Sequence, residues 1–228
     1  MRPTSTSGTR RKTDAPGRAA TDRERLGAAC RDLGLRPTAT QLDLLLRYAA
    51  LIAEWNGRLN LVSRRDTGRI VDYHIVDSVA VAGLVPPGAR LADIGTGAGL
   101  PGVPLAIVRP DLAVTLVESS ARKCLFLRRA TAGLDLPGIR VISERAEALP
   151  PLGVDVLTSR LTAPAGTLLR QSRHHLGPTG RLVLYKSPAG APLDPRLLAR
   201  HRLRSAFSVD VILPLTGTNR RFVVLAPA

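Results

Sequence analysis

The chain has 228 residues, 44% hydrophobic and 22% charged, which suits one globular domain with a small appendage. No apolar run reaches the roughly 20 residues of a membrane-spanning helix, so a transmembrane protein is excluded. Two cysteines, Cys30 and Cys124, cannot frame a disulfide scaffold, and the N-terminus lacks the apolar stretch of a secretory signal, so a reduced cytoplasmic home is expected. The net charge of +15 is uneven: residues 156–228 hold 11 basic residues against only Asp194 and Asp210. That imbalance points to a polyanion, most simply nucleic acid.

Residues 1–21 contain no large apolar side chain beyond Met1 and read as a disordered basic arm. Residues 22–88 read as a helical extension. Thr38 is placed to cap a helix whose stripe runs through Leu42, Leu45, Leu46, Ala49, Ile52 and Trp55. Residues 56–65 read as a loop, and Asp66–Ala82 as a second helix with His74 and Asp77 near one face.

From residue 89 short apolar runs alternate with helical stretches. Strands are predicted at 91–95, 114–118, 140–144, 154–159 and 181–186, with helices at 102–109, 120–134, 163–176 and 193–203. The runs 206–215 and 220–226 are too close for a crossover helix and read as an antiparallel hairpin. The fold class is α/β: a doubly wound, mostly parallel, seven-stranded sheet with an N-terminal helical extension.

The first strand runs into Gly95-Thr96-Gly97-Ala98-Gly99-Leu100-Pro101-Gly102, and the next ends in Glu118. A glycine loop followed by a carboxylate for ribose hydroxyls indicates an adenosine-bearing ligand. A dinucleotide fits the glycines literally. However, Asp93 would repel a pyrophosphate, and Pro101 and Pro104 remove amide donors it would need. S-adenosylmethionine carries a sulfonium and an ammonium instead, both favoured by a carboxylate. Topology puts the amides of Ala146 and Glu147 beside the adenine, and Arg160, after the fourth strand, at the reactive end. Asp93, Gly95, Gly97, Gly99, Glu118, Ala146, Glu147 and Arg160 are therefore the cofactor candidates.

Lys123 and Lys186 are two of only three lysines and are candidates for positioning the target or its phosphates, with Arg160. Arg122, Arg196, Arg200, Arg202, Arg204, Arg220 and Arg221 complete the candidate RNA surface. His74 and Asp77 read as a packing pair rather than a catalytic one. His174, His175 and His201 have no metal-ligand spacing, so no metal is expected. Aromatic residues are few, which favours a structured RNA or particle over a dedicated single-strand platform.

Across residues 42–186 the sequence resembles the small-subunit ribosomal RNA methyltransferase G family, formerly glucose-inhibited division protein B. The likeness rests on Trp55-Asn56, Asn60-Leu61, His74-Ile75-x-Asp77-Ser78, the run Asp93 to Ile107, Glu118-Ser119, Lys123, Phe126-Leu127, Arg145-Ala146-Glu147 and Ser159-Arg160. It departs at Cys124, where a second basic residue is common, and at Leu161, where Ala is usual. The resemblance implies a SAM-dependent enzyme that methylates N7 of a guanine in 16S rRNA near the decoding site, with Gly95, Leu100, Ala146, Glu147 and Arg160 touching the cofactor. The expected partner is 16S rRNA or the small ribosomal subunit, met by a monomer. A small-molecule methyltransferase and a non-catalytic assembly factor are the competing readings.

Overall fold

The computed structural model describes residues 21–160 and 164–228, so the first 20 residues of the arm read at 1–21 and the Leu161 departure lie outside it, while Thr21 is the N-cap of the first helix. Helix α1 (Asp22–Asp32) and helix α2 (Ala39–Leu59) come first. Each is closed by a reciprocal capping box, Thr21 with Glu24 and Thr38 with Gln41. The sheet follows: β1 (Arg90–Ile94), β2 (Ala113–Val117), β3 (Ile139–Ile142), β4 (Val154–Ser159), β5 (Leu176–Lys186), β6 (Leu203–Ile212) and β7 (Asn219–Pro227). Its order is β3-β2-β1-β4-β5-β7-β6, parallel except at β7. The hairpin expected from the C-terminal runs is present, and its second strand inserts between β5 and β6.

Alternation along the central strands sorts side chains into two apolar layers. Leu91, Val114, Leu116, Val156, Val183 and Phe222 face one layer, which also takes Leu26 of α1, Leu45, Tyr48 and Ile52 of α2, and Phe126 and Leu127. Ala92, Ile94, Leu157, Leu182, Leu184 and Leu225 face the other, with Leu168, Leu169 and Leu198.

Three stretches differ from the sequence reading. Residues 64–84 do not form one helix. A 3-10 segment (Arg64–Arg69) passes into a π-helical turn (Ile70–Ile75), then helix α3 (Val76–Val79) and a 3-10 turn (Ala82–Leu84). The run is rich in β-branched residues, which weaken regular helix, and its side chains are committed to tertiary partners described below. Strand β5 starts five residues early, because Gly177 and Gly180 let the backbone lie against β4. A Cβ on Gly180 would stand 2.8 Å from the Val154 carbonyl. The remaining helices are α4 (Gly102–Val108), α5 (Ala121–Gly133), α6 (Ala165–Ser172) and α7 (Pro195–Arg200), the last two shorter than predicted.

Candidate cofactor and substrate site

Strand order reverses between β1 and β4, and the crevice at their C-terminal ends is where an open α/β sheet holds its ligand. A cleft of about 600 Å³ opens there, lined by Gly95–Ala98, Leu100, Glu118, Lys123, His74, Arg160 and the loop 60–64. A second cavity of about 120 Å³ adjoins it across Gly95 and Ser119, and Ala146 and Glu147 line it.

The four glycines of the loop do different work. Gly95 and Gly97 have φ of 64° and 57°, which favour glycine, and a Cβ on Gly95 would meet no atom within 4 Å. Gly99 (φ 73°) faces inward. A Cβ there would lie 2.3 Å from the Tyr48 hydroxyl and under 3 Å from Val103 and Leu127. Gly102 likewise abuts Leu116. The expectation that Gly99 touches the cofactor is corrected: its missing side chain makes room for Tyr48, which donates to the Ala98 carbonyl.

Asp93 is also corrected. It is fully buried under the loop and lines neither cavity. Its carboxylate accepts from the Thr96 hydroxyl (2.6 Å) and the Gly102 amide (2.9 Å). Burial pushes its pKa up to about 6, against those two donors. Asp93 braces the loop that forms the cleft floor.

Glu118 faces the cleft. Its two oxygens accept from the amides of Gly97 (3.0 Å) and Ser120 (2.8 Å). A carboxylate has about four acceptor positions, so this one is fixed in place with capacity for two further hydroxyl donors.

Arg160 does reach the cleft, held by its own protein. Its guanidinium bonds Asp77 (3.3 Å), the Ser78 hydroxyl (3.3 Å), and His74 Nδ1 (2.9 Å). Since guanidinium only donates, Nδ1 accepts and the His74 proton sits on Nε2. Burial, then the Arg160 charge, push the His74 pKa down to about 4. His74 and Asp77 are thus a packing pair as expected, and what they grip is Arg160 and Arg220.

The candidate RNA residues separate. Lys123 lines the cleft, and exposed Arg122 stands beside it, donating to the Arg58 carbonyl (3.0 Å). Arg220 is corrected: it is largely buried, with Nε 2.8 Å from Asp77 and a further bond to Tyr73. Arg221 is paired with Asp210 at 2.6 Å. Lys186 misses the cleft mouth, because Tyr185 takes the cleft-side layer, bonding the Ser78 carbonyl, and the next residue points the other way. It lines a separate pocket with Arg221 and Ser205. Arg200, Arg202 and Arg204 sit at the start of β6, at the opposite edge of the sheet from the cleft. Lys186 pairs with Arg221 and Arg204 with Ala226, a separation of about 17 Å along β7. Arg196 is exposed at the start of α7, outside the cleft lining.

One contributor escaped the sequence reading. His175 is fully buried and donates from Nε2 to the Ala146 carbonyl (2.9 Å), while the ring of His174 lies 3.9 Å away and bonds the Leu149 carbonyl. Burial lowers the His175 pKa. The pair holds the turn that carries Ala146 and Glu147. A doublet of histidines gives no hint of this; only the return of the chain beneath the third strand does.

No helix among the described residues is long and apolar enough to cross a membrane, and no three potential metal ligands gather among them. The fold is shared with a SAM-dependent methyltransferase from Aquifex aeolicus, with TM-score 0.53 at 17% identity over 71% of this chain and 93% of that one. Ribosomal RNA small subunit methyltransferase G from Chromobacterium violaceum is 39% identical over 185 residues, 81% of this chain and 86% of its own. The protein of the same name from Ralstonia nicotianae is 37% identical over 92% of this chain and 97% of its own. The family model for rRNA small subunit methyltransferase G matches residues 41–192, and the chain belongs to that methyltransferase family.

Proposed function

We propose that the protein transfers a methyl group from S-adenosylmethionine to N7 of a guanine in 16S rRNA near the decoding site, acting in the cytoplasm. The observation that carries this reading is the cleft itself. A left-handed Gly95 with open space at its Cβ position, a braced Glu118 and the fixed Arg160 guanidinium lie around one space, with Lys123 at its rim. These residues fit the cofactor. Glu118 would accept from its ribose hydroxyls, the turn at Ala146 and Glu147 would receive its adenine, Leu100 would pack beside it, and Arg160 would meet its carboxylate.

S-adenosylmethionine supplies an electrophilic methyl on a sulfonium. The N7 lone pair of guanine is free in the neutral base, so attack requires no deprotonation and the chain supplies no general base. His74 suits this economy: it is neutral at physiological pH and its Nδ1 is occupied by Arg160. The chain's contribution is alignment, worth several orders of magnitude in effective concentration. Lys123 and Arg122 attract the phosphates that flank the target base. The Arg200–Arg204 cluster, on the far edge, takes no part in presenting that base.

The test uses purified protein, labelled S-adenosylmethionine and small subunits from cells lacking the endogenous activity. Borohydride–aniline cleavage cuts RNA at 7-methylguanosine. A single cut in the decoding-region loop is expected. Incorporation of label without a cut would move the acceptor to another atom, and no label in RNA would refute the reading.

A further inference from the structure

Beyond the cleft, a groove of about 440 Å³ runs between α2 and α5. Its floor is Ala50, Leu51, Trp55, Phe126 and Ala130, and its rim carries Arg47, Arg129 and one carboxylate, Glu54. Trp55 is the chain's single tryptophan and stands in the family-like motif, yet it contributes nothing to the cofactor cleft. Its ring lies against Phe126 at 5.8 Å, and the Arg129 guanidinium lies over it, 5.7 Å from the centroid. Arg47, Arg58, Arg122 and Arg129 are all exposed. Arg47 and Arg122 bond the carbonyls of Gly133 and Arg58, so their charges are not spent on carboxylates there.

The groove and the cleft are separate depressions that both draw on α5. Lys123 lines the cleft and Arg129 the groove, six residues apart on one helix, about 9 Å along its axis. An apolar floor with a guanidinium over an aromatic ring, and a second guanidinium on the rim, suits a nucleobase carrying a phosphate. A rim with two guanidiniums and one carboxylate disfavours a basic peptide.

We infer that the α2–α5 groove is a second subsite that holds a nucleotide of the substrate RNA flanking the methylated guanine. Its base stacks on the Arg129–Trp55 pair, and its phosphate is met by Arg47 and Arg129. The inference rests on the methyltransferase reading above and adds to it a contact outside the catalytic cleft.

The full chain and its Arg47→Gln/Arg129→Gln variant are compared on small subunits lacking the modification. The expected result is a KM about tenfold higher with kcat and S-adenosylmethionine affinity unchanged. The dependence of log(kcat/KM) on log salt should flatten by about 0.7, as the contact to one phosphate is lost. Arg129→Lys should keep the salt slope and lose part of the stacking. In parallel, a six-nucleotide oligoadenylate is titrated at low salt while Trp55 fluorescence is read. Quenching in the full chain that weakens in the double variant supports the subsite. An unchanged KM and slope in a variant that still binds cofactor overturns it. A raised KM with no quenching by RNA assigns the groove to a protein of the subunit and also overturns it. Failure of the parent reading is distinct: the unaltered protein would then transfer no methyl to subunits, whatever Trp55 reports.

Discussion

Two glycines two residues apart in the same loop should fail in opposite ways when replaced by alanine. At Gly99 the new Cβ meets the Tyr48 hydroxyl at 2.3 Å, Val103 at 2.8 Å and Leu127 at 2.9 Å, on a backbone with φ 73°. The left-handed conformation costs alanine about 1–2 kcal/mol. Overpacking a closed site adds about 1–3 kcal/mol, and displacing Tyr48 from the Ala98 carbonyl adds about 1 kcal/mol more. Gly99→Ala should therefore lose about 3–6 kcal/mol, and in a chain of this size its midpoint should drop by about 10 °C or more. At Gly97 the φ of 57° carries the same backbone cost, but the nearest atom to the new Cβ is the Gly95 carbonyl oxygen at 4.0 Å. Gly97→Ala should lose about 1–2 kcal/mol of stability and most of its S-adenosylmethionine affinity, since it lines the cleft. Urea unfolding and calorimetric titration measure the two effects separately. Tyr48→Phe is the internal control: it removes the 2.3 Å contact, so adding it to Gly99→Ala should cost less than the sum of the single changes. A Gly99→Ala protein within 1 kcal/mol of the parent, or additive behaviour with Tyr48→Phe, would show that this glycine is not there for close packing.

Three further outcomes follow from the buried polar groups. Asp93 has its pKa raised to about 6 from 3.8, so the folded state holds this proton more tightly, and its burden on stability is absent below pH 4 and complete above pH 6. His74, lowered to about 4, acts in the opposite sense over the same window, so the parent's pH curve hides both. The difference between parent and Asp93→Asn isolates the first: the variant's cost should be larger at pH 4 than at pH 7 by about 3 kcal/mol, and a pH-independent cost would refute the assignment. Arg220→Met should destabilise by about 3 kcal/mol, because Asp77 is fully buried, while leaving the salt dependence of methylation unchanged. A flatter slope would return Arg220 to the RNA surface. His175→Phe should keep the fold and weaken S-adenosylmethionine binding roughly three- to tenfold, one hydrogen bond's worth, through the Ala146 turn.

What the sequence makes legible here is local. The capping box of Thr38 and Gln41 and the apolar stripe after it place α2 closely. Strand, glycine loop and Glu118 place the cleft, because a doubly wound sheet leaves few positions for a ligand. What it hides is which way a side chain points and what arrives from far along the chain. Gly99 belongs to Tyr48, about fifty residues earlier. Arg220 belongs to Asp77, 143 residues earlier. The Arg200–Arg204 cluster looks like an RNA surface in composition, but strand direction carries it to the far edge of the sheet. Residues 64–84 break the helical pattern because their side chains serve those distant partners at irregular angles, a conflict between local periodicity and tertiary demand.

Those distant partners bear on how the chain is divided. Sequence pattern separates the first helical stretches from the sheet domain at residue 88, and we propose that this line marks a change of pattern and not a boundary between independent folding units. Leu26, Leu45, Tyr48 and Ile52 share one apolar layer with Leu91, Leu116 and Phe126. The extension also reaches into the site. Tyr48 fills the space behind Gly99, the loop 60–64 forms one wall of the cleft, and Arg160 makes three hydrogen bonds to His74 and Ser78 and an ion pair with Asp77. Arg160 left without them would be a mobile, solvated guanidinium, free to pair with any phosphate that approached. Held as it is, its guanidinium is fixed in one orientation at the cleft. The extension thus orients Arg160 at the sheet edge, and the cleft is built in part from residues that a division at 88 would assign elsewhere.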